Sequence, residues 1–294
     1  MLRRRSWMFV PGNSERMISI ALTLDLDVAM LDLEDGVVPA LKHAARPVVA
    51  AALAREHTGR PYRFVRVNGH GTPDLHRDLE AIVCPGLEGI VVPKIETVLQ
   101  VESIALKLDA LEASRSVRPG QVKMMLAIET AKAVIAAPQL ASGSERVCGL
   151  MFGAEDFSRD IGLPTVRTGH ARDFLYARSA IVMAAVAAGV TAVDGVWPVL
   201  QDREGLTSDS RLARDLGFAG KSMIHPGQID IINQAFSPTP DEVEHARRLI
   251  GDFEVAMANG QGSISFEGEL VDRPIYERAL AVVRAAHPSN SSAN

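Results

Sequence analysis

The sequence predicts an α/β protein, a (β/α)8 barrel of the TIM type with a C-terminal helical arm. Three observations carry that prediction. Eight short apolar runs lie between residues 7 and 224. They recur roughly every 31 residues, the length of one strand-plus-helix unit. Segments with helical spacing fill the intervals, and a doubly wound sheet would more often stop at five to seven strands.

The first run is Trp7–Val10, and Ser14 with Glu15 opens a helix over Arg16–Leu24. Val28–Leu33 is the second strand, followed by an alanine-rich helix at Ala40–Arg55. Phe64–Val67 is the third, with Pro73-Asp74 leading into Leu75–Val83. Gly89–Val92 is the fourth, followed by a helix at Thr97–Leu111. Lys123–Ile128 and Val147–Phe152 are the fifth and sixth. A helix at Asp173–Ala188 precedes the short seventh run, Ala192–Val193, and Thr207–Leu216 stops at Gly217 before the eighth, Lys221–Ile224. Near-continuous apolar strands are expected where helices cover one face of a parallel sheet and its own core fills the other.

Ser-Pro-Thr-Pro at 237–240 breaks the rhythm and marks a boundary. The barrel domain is therefore placed at 1–236 and the helical extension at 237–294. Within the extension, Asp241–Asn259 reads as a long helix, Gln261-Gly262-Ser263 as a turn and Pro274–Ala286 as a last helix. Leu249, Ile250 and Phe253 give that arm an apolar face, which a neighbouring copy would cover in a homo-oligomer. The final residues, HPSNSSAN, are polar and expected to fray.

A net charge of −5 gives no general drive toward nucleic acid or anionic membranes. The apolar run after Arg3-Arg4-Arg5 is only Trp7–Val10, too short for a secretory signal, and no stretch is long enough to span a bilayer. Two distant cysteines, Cys84 and Cys148, form neither a disulfide framework nor a zinc spacing, which fits a reducing cytoplasm. Gly220-Lys221-Ser222 resembles the end of a phosphate-binding loop, but Asp215 stands where the first glycine is required.

Barrel enzymes carry their chemistry at the C-terminal strand ends. Here those ends hold Glu34 and Asp35, Arg66, Lys94, Glu129, Glu155 and Asp156, Asp194 and His225. Crowded carboxylates repel, so either some keep a proton or a cation sits among them. Mg2+ or Mn2+ would suit oxygen ligands. Glu129 and Asp156, from adjacent strands, make the best pair. Single acids such as Glu34 and Asp194 could instead cap helices. An arginine at the end of an apolar strand needs an anion: Arg66 could clamp a substrate carboxylate or an enolate oxygen, or pair with a neighbouring acid. Lys94 could serve as a Schiff-base lysine, although the acids around it favour metal chemistry. His225, followed by proline, reads as structural.

The strand-end motifs FVPGN (9–13), LDLEDGV (31–37), RVN (66–68), VVPKIE (91–96), AIET (127–130), FGAEDF (152–157), YARS (176–179), DGVWP (194–198) and IHPGQI (224–229) resemble the citrate lyase β-subunit-like branch of the HpcH/HpaI aldolase family. EGELVDRP (267–274) is similar to that family's C-terminal segment. The resemblance implies a Mg2+-dependent carbon–carbon lyase acting on a citramalyl-, citryl- or malyl-type 3-hydroxyacyl thioester, carried by CoA or an acyl-carrier protein. It implies Glu129 and Asp156 as metal ligands. Arg66 is implied as the substrate arginine, and Gly153, Ala154 and Glu155 as substrate-binding positions. Glu34 and Asp35 would stand beside metal-bound water. Asp272 would be the acid/base aspartate, contributed by a neighbouring subunit, and a homotrimer or citrate lyase partner subunits would fit. Trp197 stands where another aromatic is expected and could reshape the pocket. A malyl-CoA-type thioesterase, an HpaI-like aldolase on free hydroxy-keto acids and a non-catalytic subunit are the alternatives.

Overall fold

The computed structural model describes residues 4–56, 59–163 and 172–286; the polar tail at 287–294 lies outside them. These residues fall into two compact units, 4–233 and 234–286.

The first unit is a closed barrel of eight parallel strands in sequence order. They are β1 (Ser6–Pro11), β2 (Val28–Asp32), β3 (Tyr62–Arg66), β4 (Gly89–Val92), β5 (Lys123–Ile128), β6 (Val147–Phe152), β7 (Thr191–Asp194) and β8 (Gly220–Met223). Closure comes from β1 pairing β8, with Trp7 opposite Ser222. Around it run α1 (Glu15–Ala21), α2 (Lys42–Leu53), α3 (Pro73–Ile82), α4 (Val98–Ser114), α5 (Ala131–Ala141), α6 (Ala154–Asp160), α7 (Leu175–Ala187), α8 (Arg203–Leu216) and α9 (Ile229–Ala235). Local chemistry starts many of them. Ser14, Thr72, Thr97, Thr130 and Asp202 each accept a backbone N–H from the first turn of the helix they precede, satisfying a donor that has no intrahelical partner. Asp202 moves the start of α8 four residues ahead of the expected Thr207. α5 runs through Pro138, a residue that breaks the sequence signal for a helix.

Side chains alternate along a strand, so residues two apart share a face. The inward set Trp7, Val28, Met30, Phe64, Val91, Met125, Ala127, Met151 and Val193 forms one buried cluster. Outward residues such as Leu31, Val65, Ile90, Leu126 and Leu150 are buried as well. Burial on both faces is why the strands read as continuous apolar runs. Gly89 is required inside: a Cβ there would sit 2.3 Å from the Phe64 ring.

The second unit packs α10 (Pro240–Ala258) and α11 (Arg273–Ala286) around a hairpin of β9 (Ile264–Phe266) and β10 (Glu269–Val271). The hairpin follows the expected turn at 261–263, in a stretch to which the sequence reading assigns no element. Its tip is Glu267 at φ 50° and Gly268 at φ 89°. Leu249 and Phe253 do not form a free face. They are buried inside this unit with Phe266, Val271 and Ala279, and Ile250 packs on the same cluster. Phe253 stacks on Tyr276 at 4.9 Å. Leu249 and Phe253 therefore offer no free surface to a neighbouring copy, and Ile250 is half-buried against the same cluster.

Candidate active site

The inward alternation that builds the core also builds the site. One step beyond Met30 stands Asp32, beyond Phe64 stands Arg66, beyond Ala127 stands Glu129 and beyond Met151 stands Gly153. The strands thus change from apolar to charged at one level, the C-terminal end of the barrel. A cavity of about 340 Å³ opens there, lined on its apolar side by Phe9, Val91, Ala127, Met151, Phe152, Val196 and Ile224. Asp32, Arg66, Glu129, Gly153, Ala154, Glu155 and Asp156 also line it.

Arg66 is fixed before any ligand arrives. Its Nε and Nη2 donate to Asp32 Oδ1 and Oδ2 at 2.8 and 2.6 Å, a two-point pairing that the register provides by setting Asp32 opposite Arg66. The guanidinium lies 4.6 Å over the Phe9 ring. Burial works against its charge, but the hydrogen bonds and charge of Asp32, with Glu34 and Glu129 nearby, outweigh that and hold its pKa above the usual arginine value. Asp32 also accepts the N–H groups of Glu34 and Gly36, each at 2.9 Å. One carboxylate thus fixes both the arginine and the turn that carries Glu34 and Asp35. The sequence reading passes over Asp32. The usable signal was its spacing of two from Glu34, which puts both on one face.

Glu34 is buried, with Oε1 accepting from Lys94 Nζ at 2.7 Å. Arg66 Nη1 stands 3.1 Å from Oε2, yet Oε2 has no hydrogen-bond donor among the described residues. Burial first, then the charge of Asp35, raises the Glu34 carboxyl above its ordinary value despite Arg66 and Lys94. Asp35 is mostly exposed, 3.5 Å from Lys94 Nζ. Lys94 itself is desolvated in part, but the hydrogen bond and charge of Glu34, with Asp35 and Asp156, raise its pKa. A Schiff-base lysine needs the opposite shift.

Glu129 is 4% exposed, and its carboxyl is pushed up to about 7, by burial first and then by the like charges of Glu34 and Asp156. Its one hydrogen bond among the described residues comes from the Lys94 backbone N–H, 2.9 Å from Oε2. Gly153 makes room for it: a Cβ there would lie 2.2 Å from Glu129 Cγ. Asp156, in the first turn of α6, pairs with Arg159 at 2.6 Å. No group of three or more His, Cys, Asp or Glu among the described residues is arranged to hold a metal. Mg2+, however, needs only one or two carboxylates beside water and substrate oxygens. Two acids on one pocket wall, one raised to about 7 by burial and neighbouring like charges, and the buried Glu34 Oε2, without a hydrogen-bond donor among the described residues, match that requirement.

Other expected residues fall elsewhere. Asp194 does not join the acids of the mouth: it is buried and accepts from Arg178 at 2.8 Å and Lys221 at 2.5 Å, with Asp209 completing the cluster. His225 accepts the Gly227 N–H on Nδ1, a structural turn. Trp197 is buried and absent from the residues lining the pocket. Asp272 belongs to the second unit, exposed at the start of α11, with its carbonyl accepting the Tyr276 N–H.

Residues 5–226 match the family model HpcH/HpaI aldolase/citrate lyase. The chain belongs to that family. It is 38% identical to citrate lyase subunit beta of Leuconostoc mesenteroides subsp. cremoris, over 98% of this chain and 94% of the relative. It is 33% identical to the mitochondrial citramalyl-CoA lyase of Mus musculus, over 96% and 86%. The structure of protein CitE from Mycobacterium tuberculosis in complex with magnesium, acetoacetate and coenzyme A superposes with a TM-score of 0.79 at 32% identity, over 97% of this chain and 98% of that one. Membership of this family makes the chain a carbon–carbon lyase and agrees with the eight-stranded barrel. No described helix is long and apolar enough to cross a membrane.

Proposed function

We propose that the chain is a Mg2+-dependent lyase that cleaves a 3-hydroxyacyl-CoA of citramalyl, citryl or malyl type to an oxo acid and an acetyl thioester. The observation that carries this reading is the meeting of Glu129, Asp156 and the immobilised Arg66 on one pocket: a buried acid with no cation in hydrogen-bond contact among the described residues, and an acid held by Arg159, share the cavity with a cation that is held ready. CoA in the Mycobacterium tuberculosis neighbour supports the thioester.

When bound by Glu129 and Asp156, Mg2+ supplies charge neutralisation for the substrate hydroxyl and the carboxylate beside it. Glu34 Oε2 is the buried acceptor for a hydrogen bond from water or from that hydroxyl. As the C2–C3 bond breaks, its electron pair passes to the thioester, and the hydroxyl proton passes to Glu34 Oε2, directly or through water, as the oxo acid forms. Arg66, kept charged and oriented by Asp32, stabilises the thioester enolate oxygen. The apolar wall of Phe9, Val91, Ala127 and Met151 excludes water, which strengthens that interaction. Asp272, matched through the motif at 267–274, is the proposed donor of the proton to the enolate carbon. Gly153, Ala154 and Glu155 are proposed to bind the oxo-acid end, and Asp35 to sit at the entrance. The domain limits 1–236 and 237–294, a homotrimer and association with citrate lyase partner subunits belong to the same proposal.

A panel of citramalyl-, citryl- and malyl-CoA, assayed with and without Mg2+, tests the reading. The expected products are an oxo acid and acetyl-CoA, formed only with the metal. Release of free CoA with an intact hydroxy acid would identify a thioesterase instead, and cleavage that persists in excess chelator would overturn the metal assignment.

A further inference from the structure

Three non-glycine residues among those described have a positive φ: Lys94 at 57°, Ser116 at 55° and Glu267 at 50°. Ser116 follows the end of α4, and Glu267 forms the β9–β10 tip, where the chain reverses. Lys94 lies instead just past Pro93 after the end of β4, in hydrogen-bond contact with the pocket-lining Glu129. A Cβ makes this conformation costly, and glycine would adopt it freely. The site keeps a lysine there, so its side chain has a use that offsets the backbone cost.

Both ends of Lys94 are engaged. The backbone N–H donates to Glu129 Oε2 at 2.9 Å, across to the end of β5. The ammonium donates to Glu34 Oε1 at 2.7 Å, across to the end of β2. The two acids are buried and come from segments on opposite sides of β4 in the chain. We propose that Lys94 is a positioning residue of the lyase site. Its left-handed backbone aims the amide that orients Glu129, while its ammonium holds Glu34 beside Arg66. Strained backbone of this kind persists where its surroundings over-determine it, and it clusters at functional sites.

The inference rests on the proposed lyase reading, and four variants separate the two. Lys94→Met removes the ammonium and keeps the stem. Lys94→Gly removes it but accepts the backbone conformation, Lys94→Ala removes it and resists that conformation, and Lys94→Arg restores a cation. Mg2+ binding is measured by calorimetry without substrate, kcat and KM on the acyl-CoA that wild type cleaves, and folding by thermal melts. Loss of a group that orients a metal ligand typically costs 10–100-fold in affinity or activity. The expected pattern is a kcat lowered about that much in the Met, Gly and Ala variants, with partial recovery in Lys94→Arg, which cannot form the same imine. Mg2+ affinity is expected to stay near wild type in Lys94→Gly and to fall about tenfold in Lys94→Ala.

Equal Mg2+ affinity in the Gly and Ala variants would overturn the backbone role. Wild-type kcat in Lys94→Met would overturn the ammonium role. A lowered melting temperature with specific activity retained would reduce Lys94 to a structural residue. Wild type that neither binds Mg2+ nor cleaves any acyl-CoA would refute the lyase reading, and the inference about Lys94 would fall with it.

Discussion

Glu129→Gln should make the metal-free protein more stable, increasingly so as the pH rises. Glutamine keeps a carbonyl oxygen for the Lys94 N–H and removes the charge that burial, Glu34 and Asp156 oppose. The Glu129 carboxyl titrates at about 7 in the fold against an ordinary 4.5. Below pH 4.5 it is neutral in both folded and unfolded chains, so its charge costs nothing. Between 4.5 and 7 the unfolded chain ionises while the fold keeps the proton, and wild type loses ground; above 7 the penalty is complete. At roughly 1.4 kcal/mol per pH unit, the penalty is about 1.4 kcal/mol at pH 5.5 and about 3 kcal/mol at pH 8.5. For a chain of this size that corresponds to about 2 and about 5 °C in Tm. Thermal melts of both proteins in chelator at the two pH values provide the assay, with a second series in millimolar Mg2+. The metal should raise the wild-type Tm at pH 8.5 and leave the variant nearly unmoved, because a ligand stabilises only a fold that binds it. A Tm advantage that is flat with pH would refute the desolvated-acid argument. Equal Mg2+ stabilisation of both proteins would refute Glu129 as a ligand.

Arg66→Ala should fold but lose about 10²–10³ in kcat, the usual effect of deleting one transition-state charge stabiliser; kinetics beside thermal melts check this, and a destabilised protein with unchanged specific activity would leave Arg66 a structural partner of Asp32. If Asp272 serves a neighbouring barrel, mixing inactive Arg66→Ala and inactive Asp272→Ala proteins under subunit exchange should restore part of the activity. Demonstrated exchange without recovery would confine Asp272 to its own chain or remove it from the reaction.

The barrel was legible because its physics is local and repetitive. A strand covered on both faces must be apolar throughout, and a helix laid over it must carry a stripe and a cap, so eight repeats announce themselves in composition alone. The same repetition marked the strand ends, which is how Arg66, Glu129 and Asp156 could be named from the sequence and were found lining one pocket. What tertiary structure decided was pairing. Asp194 and Glu129 both follow apolar strands, yet Arg178 and Lys221 neutralise the first inside the protein, whereas the second has no cation in hydrogen-bond contact among the described residues. Strand register set Asp32 opposite Arg66, and register is a property of neighbouring strands that neither strand encodes alone. The apolar face of α10 was visible in the sequence, but its cover, α11 with the β9–β10 hairpin, was not, since burial depends on where distant segments return. Lys94 shows the same division. Its residue type was plain from the start, but its left-handed backbone and its grip on two acids 35 and 60 residues away exist only once the barrel has closed.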